Sequence, residues 1–173
     1  MQRQSWPTAW LMTDERLGDR LGTAIARAAA AGAGIIVRHH ASSEAQRRSI
    51  AAEVLARGAV LGFSRDPHLA ADLGAALVHN SQEEGGLLPF SLSIHDEAQA
   101  REAARRRPAL VFVSPLYSTQ SHPGAAALGE ERAKALADLS GAPAYALGGV
   151  DDVTGKELMS RGWSGWAGID AWT

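Results

Sequence analysis

Arginine, histidine and hydroxyl side chains gather in five short stretches of this sequence: Arg38 to His40, Ser64 to Asp66, His79 to Glu84, Ser93 to His95, and Ser114 to Gly124. Guanidinium and imidazolium groups hold oxyanions through charge-assisted hydrogen bonds, and hydroxyls add neutral donors. The chemistry implied is the grip of a phosphate-like anion, with imidazoles near enough to move protons. In the last stretch Ser118, Thr119, Ser121 and His122 could wrap an oxyanion, although polar, proline-containing loops also occur as plain surface. The pair Gly148 and Gly149 would let a phosphate reach backbone N–H groups without a Cβ in the way; it equally suits a tight turn.

His39 and His40 are adjacent at a strand end, so their side chains point to opposite sides, and no close acidic partner completes a metal site. His40 therefore reads as an anion contact. His79 ends a strand and His95 precedes a helix start. Each is either a backbone-bonded imidazole or an acid–base group, and the sequence leaves both readings open.

Each of these stretches follows a short apolar run. Eight such runs read as strands: Trp10 to Thr13, Gly34 to Arg38, Val60 to Ser64, Ala76 to His79, Phe90 to Ile94, Leu110 to Val113, Ala144 to Gly148, and Gly165 to Ile169. Most are apolar on both faces, as parallel strands covered by helices should be. Helical composition falls between them, over Leu21 to Ala31, Ser43 to Arg57, Asp96 to Arg106, Glu130 to Ser140 and Val153 to Arg161. Pro67 to Leu73 reads as a short helix and Gln82 to Gly86 as a turn. Ser43 with Gln46, and Asp96 with Gln99, have capping-box spacing.

Alternating strand and helix without an intervening linker predicts one domain, residues 1–173, built as a parallel α/β fold. The expected architecture is a compact (β/α)8 TIM barrel with shortened helices and a nearly absent eighth helix, because eight full units usually need about 200 residues or more. An open doubly wound sheet is the alternative. In either fold the loops after the strands carry function, so the polar stretches lie where a site belongs. The strand-end residue Gly168 joins Gly148 and Gly149 as a candidate phosphate contact.

Bulk properties exclude several classes. A 46% hydrophobic, 21% charged composition belongs to an ordinary globular chain. A net charge of −2 provides no field for nucleic acid. The single basic run, Arg105 to Arg107, closes a predicted helix, where it complements the carboxyl end. No cysteine is present, so thiolate chemistry and disulfides are absent. Met1 to Pro7 lacks an apolar leader and no run is long enough to span a bilayer, so a cytoplasmic protein with no membrane partner is expected. Trp163, Trp166 and Trp172 either cover the barrel where the eighth helix is missing or form a self-association surface, which raises a homodimer as an expectation.

The ordered motifs resemble one family, the thiamine phosphate synthases and thiazole tautomerases. The resemblance is carried by Trp10 to Asp14, Ile36 to His40, Asp72 to His79, Ser93 to Asp96, Ser114 to Thr119 and Ala146 to Val150, and so spans nearly the whole chain. It implies a transferase of thiamine biosynthesis that joins a pyrimidine diphosphate to a thiazole phosphate. Mg²⁺ and basic residues help the diphosphate leave, and the thiazole nitrogen captures the pyrimidine cation. Arg38 matches the family's strand-two arginine, Ser93 its strand-five serine, and Thr119 and Ser121 two loop hydroxyl residues. Glu84 falls at the second acidic metal position, where aspartate is usual, and its carboxylate suits Mg²⁺.

Departures fall on catalytic positions. Ser64, Arg65 and Asp66 stand where the synthases carry Asn-Asp-Arg, so a cation replaces a metal-binding aspartate. His40 and His122 replace two lysines that bind diphosphate. Ile36 replaces a glutamine that reads the pyrimidine, Asp170 falls near a serine beside the thiazole phosphate, and Pro115 stands where the tautomerase branch has a histidine. Together these changes suggest that Arg65 occupies the metal's place.

Three functions compete on this reading. The first is a synthase-type transferase with Arg38, His40, Ser93 and His122 catalytic, Arg65, Thr119, Ser121, Gly148, Gly149 and Gly168 binding phosphorylated substrate, and Glu84 on any Mg²⁺. The second is a diverged thiazole-phosphate isomerase, and the third a noncatalytic binder of a phosphorylated ligand.

Overall fold

The computed structural model describes residues 5–83, 86–118 and 126–173. Its apolar runs are three to five residues long: β1 (Ala9–Met12), β2 (Gly34–Val37), β3 (Leu61–Ser64), β4 (Leu77–His79), β5 (Phe90–Ile94), β6 (Leu110–Val113), β7 (Ala144–Leu147) and β8 (Gly165–Gly168). They pair in sequence order, all parallel, and β8 closes on β1, so the expected barrel forms and the open sheet does not.

Closure at eight strands leaves room inside for side chains alone. Trp10, Phe112 and Tyr145 meet there, with Trp10 edge-on to Phe112 at 6.2 Å between centroids and Phe112 5.6 Å from Tyr145. Small residues make that possible. Trp10 pairs in register with Gly34, where a Cβ would come within 2.4 Å of the indole. Among the described residues six helices cover the outside: α1 (Leu21–Ala30), α2 (Glu44–Ala56), α3 (Pro67–Asp72), α4 (Glu97–Arg106), α5 (Glu130–Ser140) and α6 (Asp152–Ser160). No helix lies between β4 and β5 among the described residues, and β8 is followed by one 3₁₀ turn, Asp170–Trp172. The helical layer is as thin as expected.

Ser43 and Gln46 form the reciprocal capping box read from the sequence. The Asp96 start differs: its carboxylate accepts from Gln99 N–H, but Gln99 Oε1 accepts from His95 N–H at 2.7 Å, one residue further back. The sequence reading missed the box at Asp151 and Thr154, which starts α6. Arg106 also does more than complement a helix end. Its Nη2 donates to Ser81 O and Glu83 O, and its guanidinium lies over the Phe90 ring, so it anchors the loop after β4.

Trp163, Trp166 and Trp172 are all buried. Trp166 and Trp172 stack 5.1 Å apart and nearly parallel, and Trp172 Nε1 donates to Trp10 O. These rings cover the barrel where an eighth helix would lie, and the exposed tryptophan surface that prompted the homodimer expectation is absent among the described residues. No helix among those residues is long and apolar enough to cross a membrane.

Candidate functional site

At the carboxyl ends of the strands a cleft of about 750 Å³ opens. Seven of the residues singled out in the sequence line it: Arg38, His40, Arg65, Ser93, Gly148, Gly149 and Gly168. Glu84, Thr119, Ser121 and His122 lie outside the described residues.

After β2 the chain leaves the ladder because Thr13 Oγ1, not a carbonyl, accepts the Arg38 N–H. The guanidinium is fixed by Nε donating to Thr13 O at 3.0 Å and Nη2 to Asp14 at 2.9 Å. Burial lowers its pKa and the Asp14 carboxylate partly offsets that. The two histidines diverge as alternation demands: His39 is buried against Thr13 Oγ1, and His40 faces the cleft. Burial and then the nearby Arg65, Arg47 and Arg38 hold the His40 pKa below its usual value.

Arg65 sits at φ +72°, a left-handed backbone rare for a side-chain-bearing residue. Its N–H donates to His79 O, and the preceding carbonyl, Ser64 O, accepts from Arg47 Nη2. The turn is therefore held from both sides. Asp66 is committed elsewhere, since its carboxylate caps α3 by accepting from Leu69 N–H.

Sequence reasoning left His79, Asn80 and His95 unassigned, and all three line the cleft. His79 pairs in register with Ser91. Its Nδ1 lies 3.0 Å from Ser91 Oγ and its Nε2 3.3 Å from Ser93 Oγ, while Asn80 donates to Ser93 Oγ and accepts from Ser93 N–H. Burial, reinforced by the Arg38 charge, pushes the His79 pKa down to about 3, so this imidazole is neutral. The available signal was the period-two spacing of Ser91 and Ser93, polar residues pointing into an apolar barrel opposite a strand-ending histidine. His95 is fixed differently: its Nδ1 lies 2.8 Å from Ser114 O.

The glycine pair resolves part of its two readings. Gly148 and Gly149 have φ of +98° and +67°, and a Cβ on either would come within 2.9 Å of the chain at Pro115 to Ser118. The close approach of that chain segment by itself requires glycine. Both residues also line the cleft, so the turn and the phosphate reading are compatible. Asp170 lines the same side, and its carboxylate is paired with Arg16 at 3.1 Å.

Among solved structures, thiamine phosphate pyrophosphorylase from Pyrococcus furiosus matches with a TM-score of 0.75 at 18% identity, over 99% of this chain and 89% of that one. The Bacteroides thetaiotaomicron thiamine phosphate pyrophosphorylase gives 0.64 at 14%, over 95% and 83%. An HpcH/HpaI aldolase from Desulfitobacterium hafniense gives 0.62 at 11%, over 95% and 86%. At such identities these likenesses show the barrel fold and no more. A family model for thiamine monophosphate synthase, however, matches residues 9–172. The chain belongs to the thiamine monophosphate synthase family.

Arg65, which the resemblance places where the family carries a metal-binding aspartate, lines the cleft. Among the described residues, the carboxylates that line the cleft, Asp151 and Asp170, are engaged by the α6 N-terminus and by Arg16. Among the described residues no three potential metal ligands cluster. By themselves these described carboxylates do not fit Mg²⁺, which asks for oxygen ligands in near-octahedral array, and Glu84 lies outside the described residues.

Proposed function

We propose that this protein is a thiamine phosphate synthase-type transferase, joining a pyrimidine diphosphate to a thiazole phosphate with fixed side-chain cations in the place of the metal. The observation that carries the reading is the convergence of Arg38, His40 and Arg65 with Ser93 and the glycine pair on one cleft. Arg38 and Arg65 bring only donors, five each, and match a phosphate edge in bidentate fashion. Arg38 is preorganised by Asp14 and Thr13, so little of its freedom remains to be lost on binding an anion.

In the reaction the methylene C–O bond breaks and the diphosphate leaves with the bonding electrons. The thiazole nitrogen lone pair then forms the new C–N bond. Negative charge grows on the departing diphosphate, and cations already in position stabilise it without reorganising. Ser93, held by Asn80 and His79, lies beside the reacting ring, and the thiazole phosphate takes the Gly148, Gly149 and Gly168 side. In this reading His122, Thr119 and Ser121, matched from the sequence alone, supply further donors to the anion. We further propose a soluble cytoplasmic protein acting on small phosphorylated molecules.

The test is product formation by purified protein from the two substrates, first with Mg²⁺ and then with a chelator. Chelator-resistant thiamine phosphate formation, lost in Arg65→Ala, is the expected result. Product strictly dependent on Mg²⁺ would overturn the replacement of the metal, with Glu84 then its leading ligand. No product in either condition would overturn the transferase.

A further inference from the structure

Arg47 stands one turn into α2, directly after the Ser43–Gln46 capping box, and its backbone N–H donates to Ser43 O. From there its guanidinium lies over the Phe63 ring, 4.4 Å from the centroid, and Nη2 donates to Ser64 O at 2.9 Å. Phe63 and Ser64 are the last two residues of β3, both buried. Arg47 Nε is also buried, and it has no hydrogen-bond partner among the described residues. A buried unpaired N–H costs stability, and an apolar side chain would cover Phe63 without that cost. Packing on Phe63 therefore does not account for an arginine at this position. What the guanidinium adds is the bond to Ser64 O.

That carbonyl belongs to the peptide joining Ser64 to Arg65. The N–H of the same peptide donates to His79 O at 2.8 Å, so both of its polar atoms are tied, one to α2 and the other to β4. Beyond it the chain enters the left-handed backbone of Arg65, at φ +72°. Such a backbone costs free energy in a residue with a Cβ and persists where the surroundings impose it. For Arg65 to relax to an ordinary negative φ the peptide plane must turn, which breaks both bonds and re-aims the side chain. Arg65 lines the cleft, and Arg47 does not.

We propose that Arg47 is a positioning residue: by holding Ser64 O it locks Arg65 in the left-handed backbone that presents the Arg65 guanidinium to an anion in the cleft. The inference rests on the reading of Arg65 as an anion contact and adds the residue that aims it. Without the lock, the free protein spreads over Arg65 conformers from which the binding one must be recovered, and that recovery is subtracted from affinity. The effect exists only while Arg65 has a guanidinium to aim.

The experiment is a double-variant cycle on the binding of inorganic pyrophosphate, followed by phosphorus NMR so that weak binding is measured, with thermal melts to establish that each variant is folded. Arg47→Met keeps an unbranched stem over Phe63 and removes the donor; it should weaken binding about five- to tenfold, the worth of one net hydrogen bond. In an Arg65→Ala background the same change should have no effect, a pattern that general loss of structure would not produce. Arg47→Lys keeps a charge and a donor without the fixed fork, and should recover part of the loss. If Arg47→Met does not fold, the cycle of Arg47→Lys with Arg65→Ala decides instead, with a smaller loss confined to the protein that retains Arg65. Undiminished binding in the single variant, or an equal loss in both backgrounds, would overturn the proposal and leave the anion site standing. Wild type that does not bind pyrophosphate, or Arg65→Ala that binds it as wild type does, would sink the reading of Arg65 and this proposal with it.

Discussion

His79 and Ser93 meet across β4 and β5, with Nε2 3.3 Å from Oγ, inside a barrel mouth lined by arginine. Because His79 is buried and neutral, protonating it must open the structure or lose these bonds. Its folded pKa, about 3, lies below the ordinary value of 6.5, so the unfolded chain binds the proton more readily. The stabilisation is complete above about pH 6.5 and drains away as pH falls toward 3, at up to about 1.4 kcal/mol per pH unit. Urea unfolding of wild type and His79→Gln between pH 7 and 5 checks this, and the variant should show a shallower slope.

His40 gives a second pH effect, with the site in place of the fold as its readout. In the free protein its pKa is depressed by burial and by three arginines. A bound anion raises it, so anion affinity should climb as pH drops through the bound-state pKa and level off below the free-state one. His40→Gln should remove that component, leaving only the ligand's own ionisation. Pyrophosphate titrations at pH 8, 7 and 6 on both proteins separate the two.

Arg65 holds a left-handed backbone and a ligand-facing cation at once. Arg65→Gly should therefore lower phosphate-ligand affinity by tenfold or more, by order of magnitude from a lost charged hydrogen bond. The same change should relieve strain and leave stability unchanged or raised by about 1 kcal/mol. Arg65→Ala should lose affinity equally without that relief. Calorimetry and thermal melts on the pair check it.

Gly155 lies within α6, where alanine ordinarily stabilises a helix by roughly 0.5–1 kcal/mol. Here a Cβ would fall 2.2 Å from Cδ1 of Trp166, inside the stacked pair that covers the barrel. Gly155→Ala should instead destabilise, by about 1–3 kcal/mol as overpacking does. A lowered melting temperature with red-shifted tryptophan emission is the expected outcome.

Much of the architecture was legible because its causes are local. Short apolar runs on a repeating strand–helix schedule require parallel pairing, and Ser43 with Gln46 states a helix start in four residues. The family could be read from ordered motifs, and its model indeed spans residues 9–172. Gathering seven candidate residues on one cleft followed from a rule about strand ends.

What the sequence could not state were relations between distant residues. Whether Trp163, Trp166 and Trp172 faced out or in depended on which surface the missing eighth helix left bare. Asp170 gains its partner only when closure of β8 onto β1 brings Arg16 to it, 154 residues away in the chain. The His95 ring is held by a carbonyl 19 residues on, and the neutral state of His79 is decided by burial between two serines. Residue type and order determine which elements form. Protonation and charge depend on which atoms end up within 3 Å or so of one another, and only the closed barrel fixes those distances.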